Sequence, residues 1–447
     1  MRRRSSGLLA VLTALALLTG GPAAAQGSGG SADGVGSTGS TGSTEPVDSL
    51  PSDFLWGVSS SGFQSEGYSP DSNWTRYIAA GKTKDPVGTS ADFRHRYKED
   101  IQYAKDLGAK VYRMGVEWAR LEPQQGRYDE SAWAFYDDVV ASIRAAGMQP
   151  MITLDHWVYP GWEFDRGGWN NADMVTDWLA NARKVVDRYA KYDPSWITIN
   201  EPSAYLFQEI SHGGLDPVNT PAALDRWVAV HNGIYDYIHR VQPAAQVSSN
   251  VAYFQVVEAA IDTTFLDRVA HKLDFIGLDY YYSMSPTDLS YANVFSEPWK
   301  ASAAPDGLYY ALRHYAKRFP GKPLYIVENG MPTEDGKPRP DGYARADHLR
   351  DAAYWLQRAK DDGINVVGYN YWATTDNYEW GSYTPRFGLY TVDVKNDPAL
   401  ERRPTEAVAA YRSLIAQGGV PTDYQPSRPP TACSLVDGLD SCMSPAN

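Results

Sequence analysis

From Leu50 onward the chain repeats one pattern: a short run of apolar residues, then a longer stretch with an apolar stripe at helical spacing. The runs are Phe54–Ser60, Lys110–Val116, Pro150–Leu154, Trp196–Ile199, Gln246–Ala252, Phe275–Tyr280, Leu324–Val327 and Val366–Tyr371. Each is too short for a buried helix and rich in β-branched and aromatic residues, which marks interior strands. Between them, Tyr97, Ile101, Ala104 and Leu107 share one helical stripe, and Trp133, Tyr136, Val140 and Ile143 share another. Strand followed by helix, eight times over, predicts a closed parallel sheet. The expected fold class is therefore α/β, a (β/α)8 TIM barrel forming a single catalytic domain over residues 50–417.

Two of these runs end on a glutamate. Trp196–Pro202 reads W-I-T-I-N-E-P, where proline stops the strand and leaves Glu201 at its C-terminal tip. Pro323–Gly330 reads P-L-Y-I-V-E-N-G and places Glu328 in the same way. The C-terminal face of a parallel barrel is where such folds keep their chemistry. Tips of the fourth and seventh strands face one another across that mouth. Singly, either residue reads as a helix cap or a surface ion pair. As a pair, each beside an asparagine, they suit glycosidic bond cleavage, one carboxyl protonating the leaving oxygen and the other attacking the anomeric carbon.

The ends of the chain change the setting rather than the chemistry. Residues 1–25 carry three arginines, an apolar core from Leu8 to Leu18 and Ala23-Ala24-Ala25, the pattern of a secretory signal peptide. Residues 26–49 are Gly, Ser and Thr with hardly an apolar side chain, a disordered linker. Its G-V-G-S-T-G matches the dinucleotide fingerprint, but no strand precedes it and no helix follows. Residues 418–447 form a Pro- and Ser-rich tail holding both cysteines, Cys433 and Cys442, which in an exported chain are expected to pair. Secretion and an extracellular location follow as expectations.

Net charge is −13, and removing the signal makes the chain more acidic still. Such a chain repels phosphate backbones and anionic lipid, so neither nucleic acid nor membrane is expected as a partner. No metal or other cofactor is expected: the 8 histidines include no H-x-H or H-E-x-x-H pair. The missing G-x-S-x-G elbow removes a serine hydrolase.

A sugar pocket needs flat aromatic platforms beside polar groups able to form several hydrogen bonds. Thr153-Leu-Asp-His156-Trp157 supplies such groups after the third strand, and Trp372, Glu379 and Trp380 follow the eighth. Trp133, Trp178 and Trp227 sit at helical spacing and read as core.

Taken in order, F-L-W-G-V-S-S-S-G-F-Q-S-E-G, H-W, N-E-P, V-E-N-G and W-x-x-x-D-N-x-E-W resemble the motifs of glycoside hydrolase family 1, the retaining β-glycosidases. The resemblance covers nearly all of residues 50–417. It implies Glu201 as acid/base and Glu328 as nucleophile. It also implies sugar contacts from Gln64, His156, Trp157, Asn200, Tyr281, Trp372, Glu379 and Trp380. Asn200 would meet the 2-hydroxyl, Tyr281 would hydrogen-bond the nucleophile and Arg113 would support it. The substrate implied is a small-molecule or oligosaccharide β-glycoside.

Two departures stand out. Asp279, in G-L-D-Y-Y-Y, replaces the usual Asn and adds a like charge near both glutamates; the plain alternative is an Arg pair or a contact to a substrate hydroxyl. Glu117 replaces a small residue and is expected to be structural. The chain also lacks the Ser and Lys with which the phospho-sugar branch reads a 6-phosphate, so a neutral sugar is expected. An endo-acting glycanase of the same clan, a transglycosylase and a non-catalytic carbohydrate-binding barrel are the alternatives to an exo-acting β-glucosidase.

Overall fold

The structure, a computed structural model, describes residues 45–255, 257–285, 288–431, 434–435 and 440–446. The predicted signal peptide, nearly all of the predicted linker, its glycine-rich motif and Cys433 lie outside these residues; Cys442 is disulfide-bonded.

Parallel strands build one sheet that closes on itself. The first four are Leu55–Ser59, Val111–Gly115, Gln149–Thr153 and Ser195–Ile197. The fifth comes in two pieces, Val247–Ser248 and Asn250–Ala252. Ile276–Tyr280, Leu324–Asn329 and Val366–Trp372 complete the set. The first strand pairs with both the second and the eighth, which fixes closure on one side. On the other, the broken fifth strand changes partner at Ser249: Val247 and Ser248 pair with the fourth strand, and Asn250 to Ala252 with the sixth. The Ser249 hydroxyl donates to the Ile199 carbonyl at 2.6 Å, which holds the break in place.

Inside the barrel Val111, Met151, Ile197, Phe275, Tyr325 and Val327 form a separate apolar layer. This layer fills the barrel interior, and the cavity lies beyond it at the C-terminal ends of the strands. Outside, the helices pack into the main core, which includes Trp133, Trp178 and Trp227. All three tryptophans are buried, as their spacing predicts.

The packed fold starts ahead of Leu50. Val47 is 1% exposed and its N–H donates to the Thr422 carbonyl. Glu45 pairs with Arg358 and takes a hydrogen bond from Tyr354 on its carbonyl, and Gln357 donates to the Asp48 carbonyl at 2.9 Å. These contacts fall near the end of the helix Arg345–Asp361, at the barrel floor. The tail beyond Gly418 climbs the outer wall: Asp351 accepts from Tyr424, Ser427 and Arg428, and Asp306 from Thr431. Among the described residues, no helix is long and apolar enough to cross a membrane.

Candidate active site

The two glutamates reach the mouth by different local devices. On the seventh strand, strict alternation would turn Glu328 outward, because Tyr325 and Val327 point in. A bulge prevents this: Leu278 pairs with Ile326, but the next residue, Asp279, pairs with Glu328. The extra residue re-aims Glu328 into the barrel.

Glu201 is not on a strand. The fourth strand ends at Ile197, and Glu201 occupies the N-cap position of the helix Pro202–His212 with a left-handed backbone, φ 41°. Its side chain makes no capping bond, so the carboxyl is left for the cavity. A glutamate with positive φ costs on the order of 1 kcal/mol, and such strain collects at functional positions. Trp157 and Trp380 share this backbone state at the same mouth, with φ 72° and 42°.

Glu328 is bracketed by donors. Arg113 Nη1 donates to one carboxylate oxygen and the Tyr281 hydroxyl to the other, the latter at 2.6 Å. Arg113 is fully buried; its Nε donates to Thr153 Oγ1 at 2.9 Å and its Nη2 to Asn200 Oδ1 at 2.5 Å. Glu201 has far less support, a 3.4 Å contact from Asn200 Nδ2. Burial, and after it the charge of Glu328, pushes the Glu201 carboxyl well above the ordinary range, with Arg113 opposing.

Asn200 joins both glutamates' surroundings. Its Oδ1 accepts from Arg113 and from Asn250 at 2.6 Å, while its Nδ2 donates to His156 Nε2 at 3.1 Å and to Glu201. The amide is fully used and the residue is fully buried, away from the cavity lining. Asn200 therefore acts as a hub that fixes Arg113, His156 and Glu201. Because His156 Nε2 accepts, its proton sits on Nδ1, which has no partner among the described residues and belongs to a cavity-lining side chain. Burial, and then the Arg113 charge, keeps this ring neutral.

The opposite wall is a second network. Gln64 Nε2 donates to Asn377 and Glu379 at 3.3 Å each, and Trp372 Nε1 donates to Glu379 at 3.0 Å. Burial raises the Glu379 carboxyl to about 8. Trp380 packs between Trp157 and Trp74, with ring centroids 4.4 and 4.6 Å away, and lines the cavity. Asp376 of the same motif does not face the sugar; it accepts from Gly388, Thr391 and Val392 and pins the loop. Glu117 lies outside the cavity lining, packed against Gly62 and close to the Glu66–Arg120 pair and Tyr136, and is structural as expected.

All these groups meet in one cavity of about 480 Å³, lined by Gln64, His156, Trp157, Glu201, Asp279, Tyr281, Glu328, Trp372, Glu379 and Trp380 among others. Several residues of this machinery escape a sequence reading. Asn250 is visible only once the fifth strand is seen to break. Asp155 tethers the Trp157 backbone and the Trp178 indole at 2.9 Å each, and its one signal is its place beside His156. Among the described residues no group of three or more His, Cys, Asp or Glu is arranged to hold a metal ion.

The model of glycosyl hydrolase family 1 matches residues 47–255 and 249–420. The chain belongs to this family. Galactolipid galactosyltransferase SFR2 of Arabidopsis thaliana is 29% identical over 365 residues, which span 72% of this chain and 57% of the relative. A rice β-glucosidase-like SFR2 is 28% identical, with 55% of its own length spanned, so the chain covers little more than half of these plant relatives. A 1,4-β-D-glucan glucohydrolase of Thermotoga neapolitana is 27% identical over 77% of this chain and 98% of its own. Among solved structures, a β-glycosidase from Pyrococcus horikoshii is 25% identical with TM-score 0.72, covering 84% of this chain and 96% of that one.

For this family 1 chain, Asp279 is the residue to explain. Asn250 donates to its Oδ2, while Oδ1 has no partner among the described residues. Among the described residues no Arg forms an ion pair with it. Burial, then the charges of Glu328 and Glu201, push its carboxyl well above the ordinary range. That shift favours the protonated form, which like Asn can both donate and accept a hydrogen bond. Asp279→Asn is therefore expected to keep kcat/KM at neutral pH within about threefold, whereas Asp279→Ala loses at least about tenfold. Profiles of kcat/KM against pH check this; a collapse of the Asn variant at neutral pH would show that Asp279 works as an anion.

Proposed function

We propose that this chain is a secreted, exo-acting, retaining β-glycosidase that releases terminal β-linked glucose. One observation carries the assignment of roles: two carboxyls share one cavity in opposite surroundings. Glu328 lies between a guanidinium and a phenol, an environment that suits an anion able to attack the anomeric carbon. Glu201 is desolvated and supported by one weak contact, and burial with the Glu328 charge favours its protonated form, which suits the acid. In the first step Glu328 attacks while Glu201 protonates the leaving oxygen. In the second, Glu201 takes a proton from water and the glycosyl ester is hydrolysed.

Gln64, Glu379, Trp372 and Trp380 supply the hydrogen bonds and the platform for a neutral sugar, with His156 Nδ1–H as a further donor. The name of the Thermotoga relative supports a β-glucoside, and that of the Pyrococcus structure a β-glycoside. Transfer of the glycosyl unit to an alcohol is a second reading, supported by the transferase name of the Arabidopsis relative.

Hydrolysis of a panel of nitrophenyl β-glycosides tests the proposal. The β-glucoside is expected to be cleaved best, with galactoside and fucoside within about tenfold, since one hydroxyl's configuration alters one or two hydrogen bonds of roughly 1 kcal/mol net each. No cleavage of any member would sink it.

A further inference from the structure

The cavity has two halves of opposite character. Around Glu328 its wall is polar; beyond Glu201 it is built mostly from Ala204, Phe207, Phe254, Ile261, Met284 and Phe295, with Ser203, Gln208, Tyr282 and Tyr291 as scattered uncharged polar groups and no charged side chain in the lining there. The phenylalanines form a connected set, with Phe295 centroids 5.4 Å from Phe207 and 5.9 Å from Phe254. Phe295 is 45% exposed, an apolar surface that the fold leaves open to solvent at the cavity's outer end.

Direction follows from the helix. Pro202–His212 begins immediately after Glu201, and Ser203, Ala204, Phe207 and Gln208 lie on its cavity face. At 1.5 Å per residue, Phe207 stands about 9 Å along the axis from Glu201. An acid must face the leaving oxygen, so the apolar wall lies where the leaving group goes. A second sugar there would find aromatic rings but only the scattered Ser203, Gln208, Tyr282 and Tyr291 for its rim of hydroxyls, whereas an alkyl chain would bury against the whole wall.

Resting on the β-glycosidase reading, we infer that the natural aglycone is an extended apolar chain rather than another sugar: the substrates are β-glycosides of long-chain alcohols. The bond broken is the one from the anomeric carbon to the alcohol oxygen. That oxygen leaves with the Glu201 proton, and water supplies the hydroxyl that ends on the sugar.

The experiment compares methyl, butyl, hexyl and octyl β-glucosides with cellobiose, each below its micelle concentration. These alcohols differ little as leaving groups, so the series reads binding along the wall. Burial of each methylene is expected to raise kcat/KM by about two- to fourfold until the wall ends. Octyl β-glucoside should exceed both methyl β-glucoside and cellobiose by at least about thirtyfold. Phe295→Asn, at a half-exposed position that the core does not need, should cut the octyl-to-methyl ratio at least fivefold. Its thermal midpoint should match the parent, which separates lost binding from lost folding. An octyl-to-methyl ratio near one, or cellobiose matching octyl, overturns the inference while leaving the β-glycosidase reading intact. Failure to cleave any β-glycoside removes that reading first.

Discussion

Replacing Glu328 by alanine is expected to lower kcat on nitrophenyl β-glucoside by about 10⁴-fold or more, the scale seen when an enzyme loses its nucleophile. Azide at high concentration should restore turnover with an activated aryl glucoside. Because azide would enter from the side that Glu328 vacates, the product should be the α-glucosyl azide. The substitution also strips Arg113 of its buried counter-ion, which costs about 3–5 kcal/mol of stability when one partner of such a pair is removed. Glu328→Gln keeps the volume and a hydrogen-bonding group beside Arg113, so its thermal midpoint and its activity together separate lost chemistry from lost fold. A Glu328→Gln protein that is folded and as active as the parent would assign the nucleophile elsewhere.

Glu201→Ala should behave differently, and the difference identifies an acid. Its cost depends on the leaving group: about 10²–10⁴-fold for an alkyl glucoside, which needs its oxygen protonated, and much less in the first step for dinitrophenolate, which does not. The glycosyl ester should then accumulate, and azide should release it as the β-glucosyl azide. The pH profile of the parent enzyme follows from the same group. Glu201 must carry its proton for the first step, so kcat/KM falls as pH rises through its pKa. Burial and the Glu328 charge push that pKa up, so the alkaline limb should lie well above the ordinary carboxyl range. An equal loss on alkyl and dinitrophenyl glucosides would contradict the assignment.

Much of the barrel is readable from apolar periodicity. Each of the eight runs is a strand, and three helical tryptophans are core, because both depend on patterns that short segments carry by themselves. What the pattern does not contain is where alternation fails. Glu328 faces inward because of a bulge, and Glu201 because of a left-handed residue between strand and helix; both are departures from the regular element that the sequence predicts. The same holds for Asn200, whose motif marks it for the sugar but does not show its bonds to Arg113, His156 and Asn250, which arrive from other parts of the barrel. The start of the packed fold is hidden for a simpler reason: Val47 sits among polar residues, and its burial depends on Thr422 and on the helix of Tyr354, far away in sequence.

The clasp of Glu45 and Asp48 on the helix Arg345–Asp361 has a practical meaning. It lies at the floor, directly beneath the start of the first strand, while the mouth opens at the other end. A tether attached at Glu45 therefore starts on the side away from substrate. Coupled to a bead or an electrode at that point, the barrel would stand upright with its opening toward the solution. Coupled through groups around Phe295, it would be sealed against its own support.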